Sequence, residues 1–496
     1  MPKTALIPHK NRTILLLFIL SVAVRIITAE YVDIGGDNCM RWDFASSLQY
    51  GIENLQWSHH TARLIITMPL WGLLELFGNK PALYYVLPIL SASVGSVFMY
   101  LIGAQLKNER FGIIVAITTI LFPQLTQSGS QLWPSIFQFT FLAIAIWAIL
   151  AWHERKNTGY ILMAACAFYL IWSARLTAVY VFPGLALLIF LPSRKVKPLI
   201  LFAVSVGVLC LLEWAFFWWD TGNVMGRIGV VTQTAIARHE SLSITDYLLR
   251  FIEFKKLRGL IPVLILTIIS AIATLKTQDQ RWKAISILYL GYVFLLVYMV
   301  AGVNPIKPAT WPSSRYWMTA APFGLMLLCN SLFELRFRFP RLATSLFIIL
   351  FIAFAGFSAK KIQSTNAIVQ VTKNEQVVAP LLASKTPIIL EWKPWNPNYI
   401  EGLFYTLFNV EIKPKGIRED HIKMAMKREK NRLVWLFLHD KTQIASYLDG
   451  ELIRIDKLKC LYVPPGGDST SPPGATIHFD RKNSYAQKLL PTGKDS

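Results

Sequence analysis

The sequence predicts an α-helical protein that crosses a membrane many times. Of its 496 residues, 54% are hydrophobic and only 16% are charged, and the mean hydropathy is +0.43. A typical soluble domain carries about 25% charged residues. The apolar residues also stand in long runs that approach the ~20 residues a helix needs to cross the hydrocarbon core of a bilayer. Both observations favour a polytopic membrane protein over a soluble one.

About eleven apolar runs are predicted membrane spans, since a span inside a bundle needs slightly fewer than about 20 apolar residues. These runs are Thr13–Ile27, Leu83–Leu106, Phe111–Pro123, Pro134–Trp152, Gly159–Trp172, Leu176–Leu191, Pro198–Trp219, Leu260–Leu275, Ala284–Ala301, Met318–Phe333 and Leu342–Phe357. The first is predicted to be a retained span and not a cleaved signal peptide, because no small-residue cleavage pair precedes the acidic stretch that follows it.

The positive charges are explained by membrane topology and not by nucleic-acid binding. The chain has 50 Lys and Arg against 29 Asp and Glu, a formal net charge of +21. No basic stripe, zinc-ligand spacing or recognition helix accompanies this excess. Basic clusters stand in every second short loop, among them Lys107 with Arg110 and Arg155 with Lys156. Because such clusters stay in the cytoplasm, we expect the N-terminus inside and the residues after about Phe357 outside.

Two parts of the predicted exterior are large. The first outer loop, residues 29–81, has apolar residues at helical spacing, which predicts short amphipathic helices along the membrane surface. The second part, residues 358–496, has strand-like apolar runs at Pro387–Trp392, Leu433–Leu438 and Cys460–Val463. We therefore predict a transmembrane module at 1–357 and a small extracytoplasmic α/β domain at 358–496.

A cluster of carboxylates follows the first predicted span. Asp33, Asp37 and Asp43 stand within the stretch YVDIGGDNCMRWDFASSL, beside a Gly-Gly turn. A carboxylate held at the membrane interface is suited to take a proton from an acceptor hydroxyl or amine. The alternative is that these acids are only the polar end of a loop.

Further polar residues follow in the same outer loop. Trp57, His59, His60 and Arg63 precede Pro69, and they are predicted to line a cavity on the outer side. An arginine there suits a phosphate, which it binds through a fixed two-pronged set of donors. The alternative for Arg63 is an interfacial side chain that extends its charge into water.

Two more arginines fall at the predicted outer ends of spans. Arg175 interrupts an apolar stretch, and a charge at membrane depth costs about 3 kcal/mol on insertion scales unless it faces a polar cavity or partner. The alternative is a turn that leaves Arg175 in water. Arg315 is followed by Tyr316, whose hydroxyl is a candidate to hydrogen-bond a donor oxygen, although interfacial tyrosines are common.

Trp218, Trp219 and Asp220 are interpreted as an aromatic belt with an interfacial acid.

The order of these features resembles a known family. A span is followed by GDNCMRWDFASSLQYG, then by TMPLWGLLELFGNKPALYYVLPILSASVGSVFMYLIGAQL, and SRYWMTAAP comes late in the chain. Over residues 13–192 this is similar to the GT-C membrane glycosyltransferases, in particular protein O-mannosyltransferases and lipid A aminoarabinose transferases. The resemblance implies GT-C architecture and an active-site acid at Asp37. The family continues Asp-Glu where this chain has Asn38, so one acidic partner is missing, and Asp33 and Asp43 are the candidates to replace it.

The resemblance also implies a reaction and its partners. The donor would be a sugar linked through phosphate to a polyprenol, and a hexosyl or pentosyl group would pass to an extracytoplasmic lipid, glycan or protein. Asp37 would serve as general base, while Arg63, Arg175, Arg315 and Tyr316 would bind the donor phosphate. We expect no cofactor and no metal, because neither the carboxylates nor the five scattered cysteines are spaced as ligands. The expected location is a bacterial inner membrane, with the C-terminal domain in the periplasm.

Two other functions are compatible with many spans. A transporter or a flippase of lipid-linked glycans would show discontinuous helices in matching halves of the chain, and the sequence shows no such halves. A polymerase or ligase of lipid-linked oligosaccharides would need a long outer loop rich in Arg and His late in the chain. The segment Gly302–Arg315 is too short for such a loop.

Overall fold

The computed structural model describes most of the chain up to residue 365 and four short strands beyond it. The described residues are 7–30, 37–49, 57–78, 80, 82–235, 242–251, 260–303, 306–309, 313–365, 388–390, 434–437, 451–456 and 459–463.

Up to residue 365 the described chain is predominantly helical. In order, the α-helices are α1 (Ile7–Ile27), α2 (Asp37–Gln49), α3 (Leu64–Phe77), α4 (Leu83–Leu106), α5 (Glu109–Leu121), α6 (Pro123–Ser128), α7 (Pro134–Arg155), α8 (Gly159–Ala174), α9 (Phe182–Ser193), α10 (Lys197–Thr221), α11 (Gly226–Ala235), α12 (Ile244–Leu248), α13 (Ile261–Thr274), α14 (Gln280–Tyr298), α15 (Ser314–Trp317), α16 (Ala321–Arg338) and α17 (Pro340–Thr365). A 3-10 helix, Leu176–Tyr180, precedes α9.

A helix lies at each predicted span: α1, α4, α5, α7, α8, α9 with its 3-10 turn, α10, α13, α14, α16 and α17. Within the described residues, 6 segments are both long and apolar enough to cross a membrane: Leu83–Leu106, Pro134–Arg155, Leu176–Ser193, Lys197–Thr221, Gln280–Tyr298 and Pro340–Ala359. Shorter apolar helices are α3, α8 and α13. The protein is therefore an integral membrane protein that crosses the bilayer several times.

The helices begin where the sequence supplies partners for their first N–H groups. The Asn108 side chain accepts a hydrogen bond from the Phe111 backbone N–H (2.9 Å) and caps α5. Asp279 caps α14 in the same way. Proline, which has no N–H to leave unpaired, stands in the first turn of α7, α9, α10, α13 and α16.

Burial separates a central helix from peripheral ones. Of the most apolar 18-residue stretch of α7, 83% is buried inside the protein. The buried share of the corresponding stretch is 17% in α10 and 17% in α17. The outer faces of α10 and α17 are thus the apolar surfaces available to lipid. Helix α4 approaches α5 closely through two glycines, because a Cβ atom added at Gly103 would lie 2.9 Å from the Gly112 Cα.

One predicted span ends earlier than expected. The sequence predicts Ala284–Ala301, but α14 ends at Tyr298 and the chain turns into a hairpin of β1 (Val300–Val303) and β2 (Ile306–Pro308). The backbone of β1 pairs with β2 here in place of continuing the helix, and Pro308, in β2, could not donate a hydrogen bond within a helix.

The chain divides into two units. One contains residues 1–30, 56–69 and 85–364, and the other contains residues 31–55, 70–84 and 365–496. In the second unit, the rings of Trp42 and Tyr84 meet at 5.9 Å, and the Gln49 side chain donates to the Leu74 carbonyl at 2.9 Å.

The second unit also contains a four-stranded sheet of β3 (Ile388–Leu390), β4 (Val434–Phe437), β5 (Glu451–Asp456) and β6 (Lys459–Val463). Its strand order is β3-β4-β6-β5, with β3 parallel to β4 and the other pairs antiparallel. Strands β3, β4 and β6 lie within or across the three strand-like runs of the sequence, whereas β5 was not expected. The boundary between the two predicted domains stays a prediction.

Candidate active site

Three of the predicted phosphate-binding residues meet in the first unit. Helix α8 ends at Ala174, and Arg175 continues in extended conformation, with its guanidinium 4.1 Å from the ring centroid of Tyr316. The Arg315 guanidinium lies 5.9 Å from the same ring and 4.9 Å from the ring of Trp133. We call these four residues the arginine–tyrosine cluster. Its residues are up to 183 positions apart in the chain, and they meet because the fold brings the ends of α7, α8 and α15 together.

Arg175 follows neither sequence alternative completely. Its backbone does turn between two helices, as the water-exposed alternative requires. The side chain, however, is half-buried against Tyr316, and its Nη1 atom is buried with no hydrogen-bond partner in the described part of the chain. A buried guanidinium N–H without an acceptor is a donor available to an anion.

Gln138, which the sequence analysis missed, connects the backbone of Arg175 with Thr319 through hydrogen bonds. This buried side chain of α7 donates to the Arg175 carbonyl (3.2 Å) and to the Thr177 hydroxyl (3.2 Å). Its own carbonyl oxygen accepts from the Thr319 hydroxyl (3.2 Å). The Tyr292 hydroxyl in turn donates to the Tyr316 carbonyl at 2.8 Å. The signal that could have identified Gln138 is a polar side chain within an apolar span.

The second group of predicted residues forms the segment Trp57–Arg63, which we call the histidine loop. The rings of His59 and His60 have their centroids 3.5 Å apart. Arg63 is only 6% exposed, and its Nε donates to the His59 carbonyl at 3.1 Å. The Arg63 guanidinium is therefore enclosed by protein and does not extend into water in the way that the interfacial alternative requires.

Trp57 links the histidine loop to the end of α10 by a hydrogen bond and by ring packing. Its indole N–H donates to the Asp220 carboxylate at 2.5 Å, and its ring meets the Phe217 ring edge-on at 5.3 Å. Trp219 is 83% exposed, which agrees with an aromatic belt. Asp220 has the additional role of anchoring Trp57, which the sequence did not reveal.

A buried ion pair, which sequence reasoning missed, contacts the backbone of the histidine loop and the end of α8. The Nε of Arg227, in α11, is 3.1 Å from the carboxylate of Glu213, in α10, and the two side chains are 3% and 2% exposed. The Trp172 indole donates to the same Glu213 oxygen at 2.8 Å. Burial lowers the pKa of Arg227, an effect that the Glu213 carboxylate opposes. Glu213 within an apolar run was the available signal, since an acid at membrane depth needs a partner.

Asp37 belongs to the second unit. It is the first residue of α2 and half-buried, and a carboxylate is stabilised at this end of a helix by the free N–H groups. The amide oxygen of the buried Asn38 accepts from the guanidinium of the buried Arg41 at 2.8 Å. The residue that departs from the family pattern thus pairs with an arginine four positions after Asp37. Asp33 and the side chain of Asp43 lie outside the described residues.

Within the described ranges, no three His, Cys, Asp or Glu side chains lie close enough together to hold a metal ion. Metal independence stays a prediction.

The helices at the predicted spans define a polytopic membrane protein, and its overall fold is the GT-C fold that the sequence resemblance predicted. The fold is shared with the crystal structure of ArnT from Cupriavidus metallidurans bound to undecaprenyl phosphate. The TM-score is 0.57 at 9% identity, covering 89% of this chain and 96% of that one.

Two structures from Archaeoglobus fulgidus are also similar. An oligosaccharyltransferase in complex with Zn and sulfate gives a TM-score of 0.47 at 11% identity, over 80% of this chain and 61% of that chain. The oligosaccharyltransferase AglB with an inhibitory peptide and a dolichol-phosphate gives 0.46 at 11% identity, over 87% and 69%. Scores of this size do not establish a shared fold. No protein-family model and no curated protein matches the sequence.

Proposed function

We propose that this protein is a membrane glycosyltransferase, which moves a sugar from a polyprenyl-phosphate donor to an acceptor on the outer side of the membrane. The observation that carries this proposal is the arginine–tyrosine cluster in a chain with the fold of ArnT, a protein whose crystal structure holds undecaprenyl phosphate. The acceptor is a lipid, a glycan or a protein, and the transferred group is a hexose or a pentose.

The donor phosphate is proposed to bind at the arginine–tyrosine cluster. Arg175 and Arg315 supply two positive charges within 6 Å of the Tyr316 ring centroid, at 4.1 Å and 5.9 Å, and the buried Nη1 of Arg175 supplies an N–H without an acceptor. Hydrogen bonds between a guanidinium and a phosphate are charge-assisted and roughly twice as strong as neutral ones. Arg63 is proposed as a third cation for the same phosphate. Trp57, His59 and His60 are proposed to line the cavity that holds the sugar.

The chemical step is proposed to be a displacement at the anomeric carbon of the donor. The acceptor oxygen or nitrogen forms a bond to that carbon, and the bond between the carbon and the phosphate oxygen breaks. The acceptor proton passes to the Asp37 carboxylate, and the electron pair of the broken bond leaves with the polyprenyl phosphate. The arginines stabilise the charge that develops on this phosphate. Asp33 or Asp43 is proposed to supply the second acid that the family has next to Asp37.

The location follows from the orientation proposed for the chain. With basic loops in the cytoplasm, the histidine loop, Arg175 and Arg315 fall on the outer side, where a lipid-linked donor would be used. A bacterial inner membrane, with the C-terminal residues in the periplasm, is the proposed compartment. No cofactor or metal is included in the proposed reaction.

The decisive experiment compares Asp37→Asn with a matched control, Glu154→Gln, which changes an exposed carboxylate at the end of α7. Surface glycans and lipids from cells that carry each variant, or no copy of the chain, are analysed by mass spectrometry. The wild type and Glu154→Gln should add the same sugar, and Asp37→Asn should reduce it by about 10²-fold or more, the usual contribution of a general base. Thermal unfolding of the purified variants checks that both are folded.

The experiment also separates an enzyme from a transporter or flippase. A glycosyltransferase breaks the donor bond and releases polyprenyl phosphate, whereas a carrier returns the lipid-linked sugar intact. Accumulation of intact lipid-linked sugar on the outer leaflet, with no released polyprenyl phosphate, would contradict the proposal. Undiminished transfer by Asp37→Asn would remove Asp37 from it.

A further inference from the structure

We infer that Arg227 is a positioning residue, which holds the segments of Arg63 and Arg175 in one fixed arrangement. The inference rests on the proposed function, because it treats both arginines as ligands of the donor phosphate. It concerns α10 and α11, which carry none of the residues that the sequence assigned to the site.

The contacts of Arg227 reach both segments. Its Nη1 donates to the Ala62 carbonyl at 3.3 Å and to the Ser173 carbonyl at 3.0 Å. Its Nη2 donates to the Trp172 carbonyl at 2.5 Å. Ala62 directly precedes Arg63, and Ser173 precedes Arg175 by two residues. A single nitrogen of Arg227 therefore ties together the backbones on which both predicted phosphate ligands are carried.

Two other contacts reinforce this arrangement. The Ile65 backbone N–H donates to the Ser173 hydroxyl at 3.2 Å, which is a second link between the two segments. Ala62, Phe217 and Val230 form a buried cluster, with Trp57 packed against it. Helix α11 is thus fixed to the histidine loop by apolar packing as well as by Arg227.

The acceptors around Arg227 require a guanidinium. They are three carbonyl oxygens and the Glu213 carboxylate, and the Arg227 nitrogens Nε, Nη1 and Nη2 meet them at once. Arginine has five N–H donors in a rigid plane, whereas lysine has three donors on one atom. Lysine at this position would keep the positive charge and the pairing with Glu213 but would not reach all the carbonyls together.

Two other ion pairs show how Arg227 differs from an ordinary ion pair. Arg281 hydrogen-bonds the Asp279 carboxylate, two residues away. Lys107 pairs with Glu334 and also bonds the Asn330 side chain. Among the described residues, the hydrogen bonds of Lys107 and Arg281 reach no segment that carries a residue of the candidate site. Arg281 is therefore a suitable control for Arg227.

The test compares Arg227→Lys and Glu213→Gln with Arg281→Lys in the purified full chain. Two quantities are measured: the affinity for undecaprenyl phosphate, and the hydrogen exchange of backbone amides followed by mass spectrometry. Arg227→Lys should weaken undecaprenyl phosphate binding by about tenfold or more and should raise exchange both in residues 61–67 and in residues 175–178. Glu213→Gln, which frees Arg227 from its counter-charge, should shift both quantities in the same direction by less. Arg281→Lys should leave both unchanged.

The two measurements distinguish the inference from the function. If the wild type does not bind undecaprenyl phosphate but Arg227→Lys raises exchange in both segments, the proposed function fails while the positioning role stands. If exchange changes in neither or in only one segment, the inference is overturned, whatever the binding result. If Arg227→Lys does not fold, Glu213→Gln is judged by the same two criteria. If the wild type binds undecaprenyl phosphate and Arg227→Lys lowers the melting temperature without changing the affinity, Arg227 is a stabilising residue only, which also overturns the inference.

Discussion

The guanidinium of Arg175 lies 4.1 Å from the ring centroid of Tyr316, a contact that joins the end of α8 to the short helix α15. The two residues are 141 positions apart in the chain, so only the fold brings them together. A cation over an aromatic ring at this distance contributes about 0.5–2 kcal/mol, depending on how far it is removed from water.

The first prediction concerns this contact. Tyr316→Leu removes the ring and should weaken undecaprenyl phosphate binding about fivefold, since about 1 kcal/mol corresponds to that factor. Tyr316→Phe keeps the ring and removes the hydroxyl, so it isolates any hydrogen bond to a donor oxygen. The measurement is the affinity of each purified variant. Equal affinity of Tyr316→Leu and the wild type would show that the stacked arrangement does not matter for binding.

The second prediction concerns Gln138. Gln138→Leu has nearly the same size but leaves the Thr319 hydroxyl, the Thr177 hydroxyl and the Arg175 carbonyl without the partner they have now. Unpaired buried polar groups cost about 1–3 kcal/mol each, so the melting temperature should fall and undecaprenyl phosphate binding should weaken together. Gln278→Leu, at an exposed position, is the matched control. A stable Gln138→Leu variant with normal binding would contradict the role of this side chain.

The fold was largely predictable because span length is a property of local sequence. In a bilayer the backbone N–H and C=O groups of an apolar run have no water to bond, and a helix pairs them within the run. Each predicted span therefore appears as a helix. The end of α14 was placed at Ala301 because the apolar run continues past Tyr298 into the β1 strand. Composition alone does not distinguish the last turn of a helix from an apolar strand of the same residues.

The candidate site was predictable only in part. Arg175, Arg315 and Tyr316 were chosen because each stands at the end of a span, and the structure brings all three together. Arg227 and Gln138 were missed for two reasons. Arg227 lies in a short helix that is not a span, and its role depends on carbonyls of distant residues. Polar side chains inside a span signal a partner but do not identify it.

The third prediction uses the close approach of α4 and α5. A Cβ atom at position 112 would lie 2.6 Å from the Tyr100 carbonyl and 2.9 Å from the Ala104 nitrogen, both backbone atoms that cannot move aside. Gly112→Ala should therefore destabilise the protein by about 1–3 kcal/mol, as other overpacked cores are. The measurement is thermal unfolding in detergent.

Gly207→Ala, in α10, is the matched control, because a Cβ atom there meets nothing within 4 Å. Alanine is favoured over glycine in a helix by about 1 kcal/mol, so this variant should be as stable as the wild type or more so. Opposite signs are thus expected from one chemical change at two positions. A drop in melting temperature of the same size for both would show that loss of glycine itself, and not the α4–α5 contact, is responsible.

The last prediction concerns the acid dependence of stability at Asp279, in the loop before α14. Partial burial acts to raise the pKa of this carboxyl, but hydrogen bonds from Arg281 and its charge outweigh burial and hold the pKa below its usual value. The Arg281 Nη2 lies 2.7 Å from the Asp279 carboxylate. A carboxyl whose pKa is lower in the folded state adds stability above its unfolded pKa of about 3.9. That stability is lost as the pH falls through the folded value.

Asp279→Asn isolates the charge, because asparagine caps a helix about as well as aspartate does. The variant should unfold at a lower temperature than the wild type at neutral pH, and the difference should shrink as the pH is lowered below about 4. Glu334→Gln, at the more exposed ion pair with Lys107, should show a smaller difference at neutral pH, since exposed pairs contribute little. A difference between Asp279→Asn and the wild type that stays constant from neutral pH down to about 3 would mean that the Asp279 charge does not stabilise the start of α14.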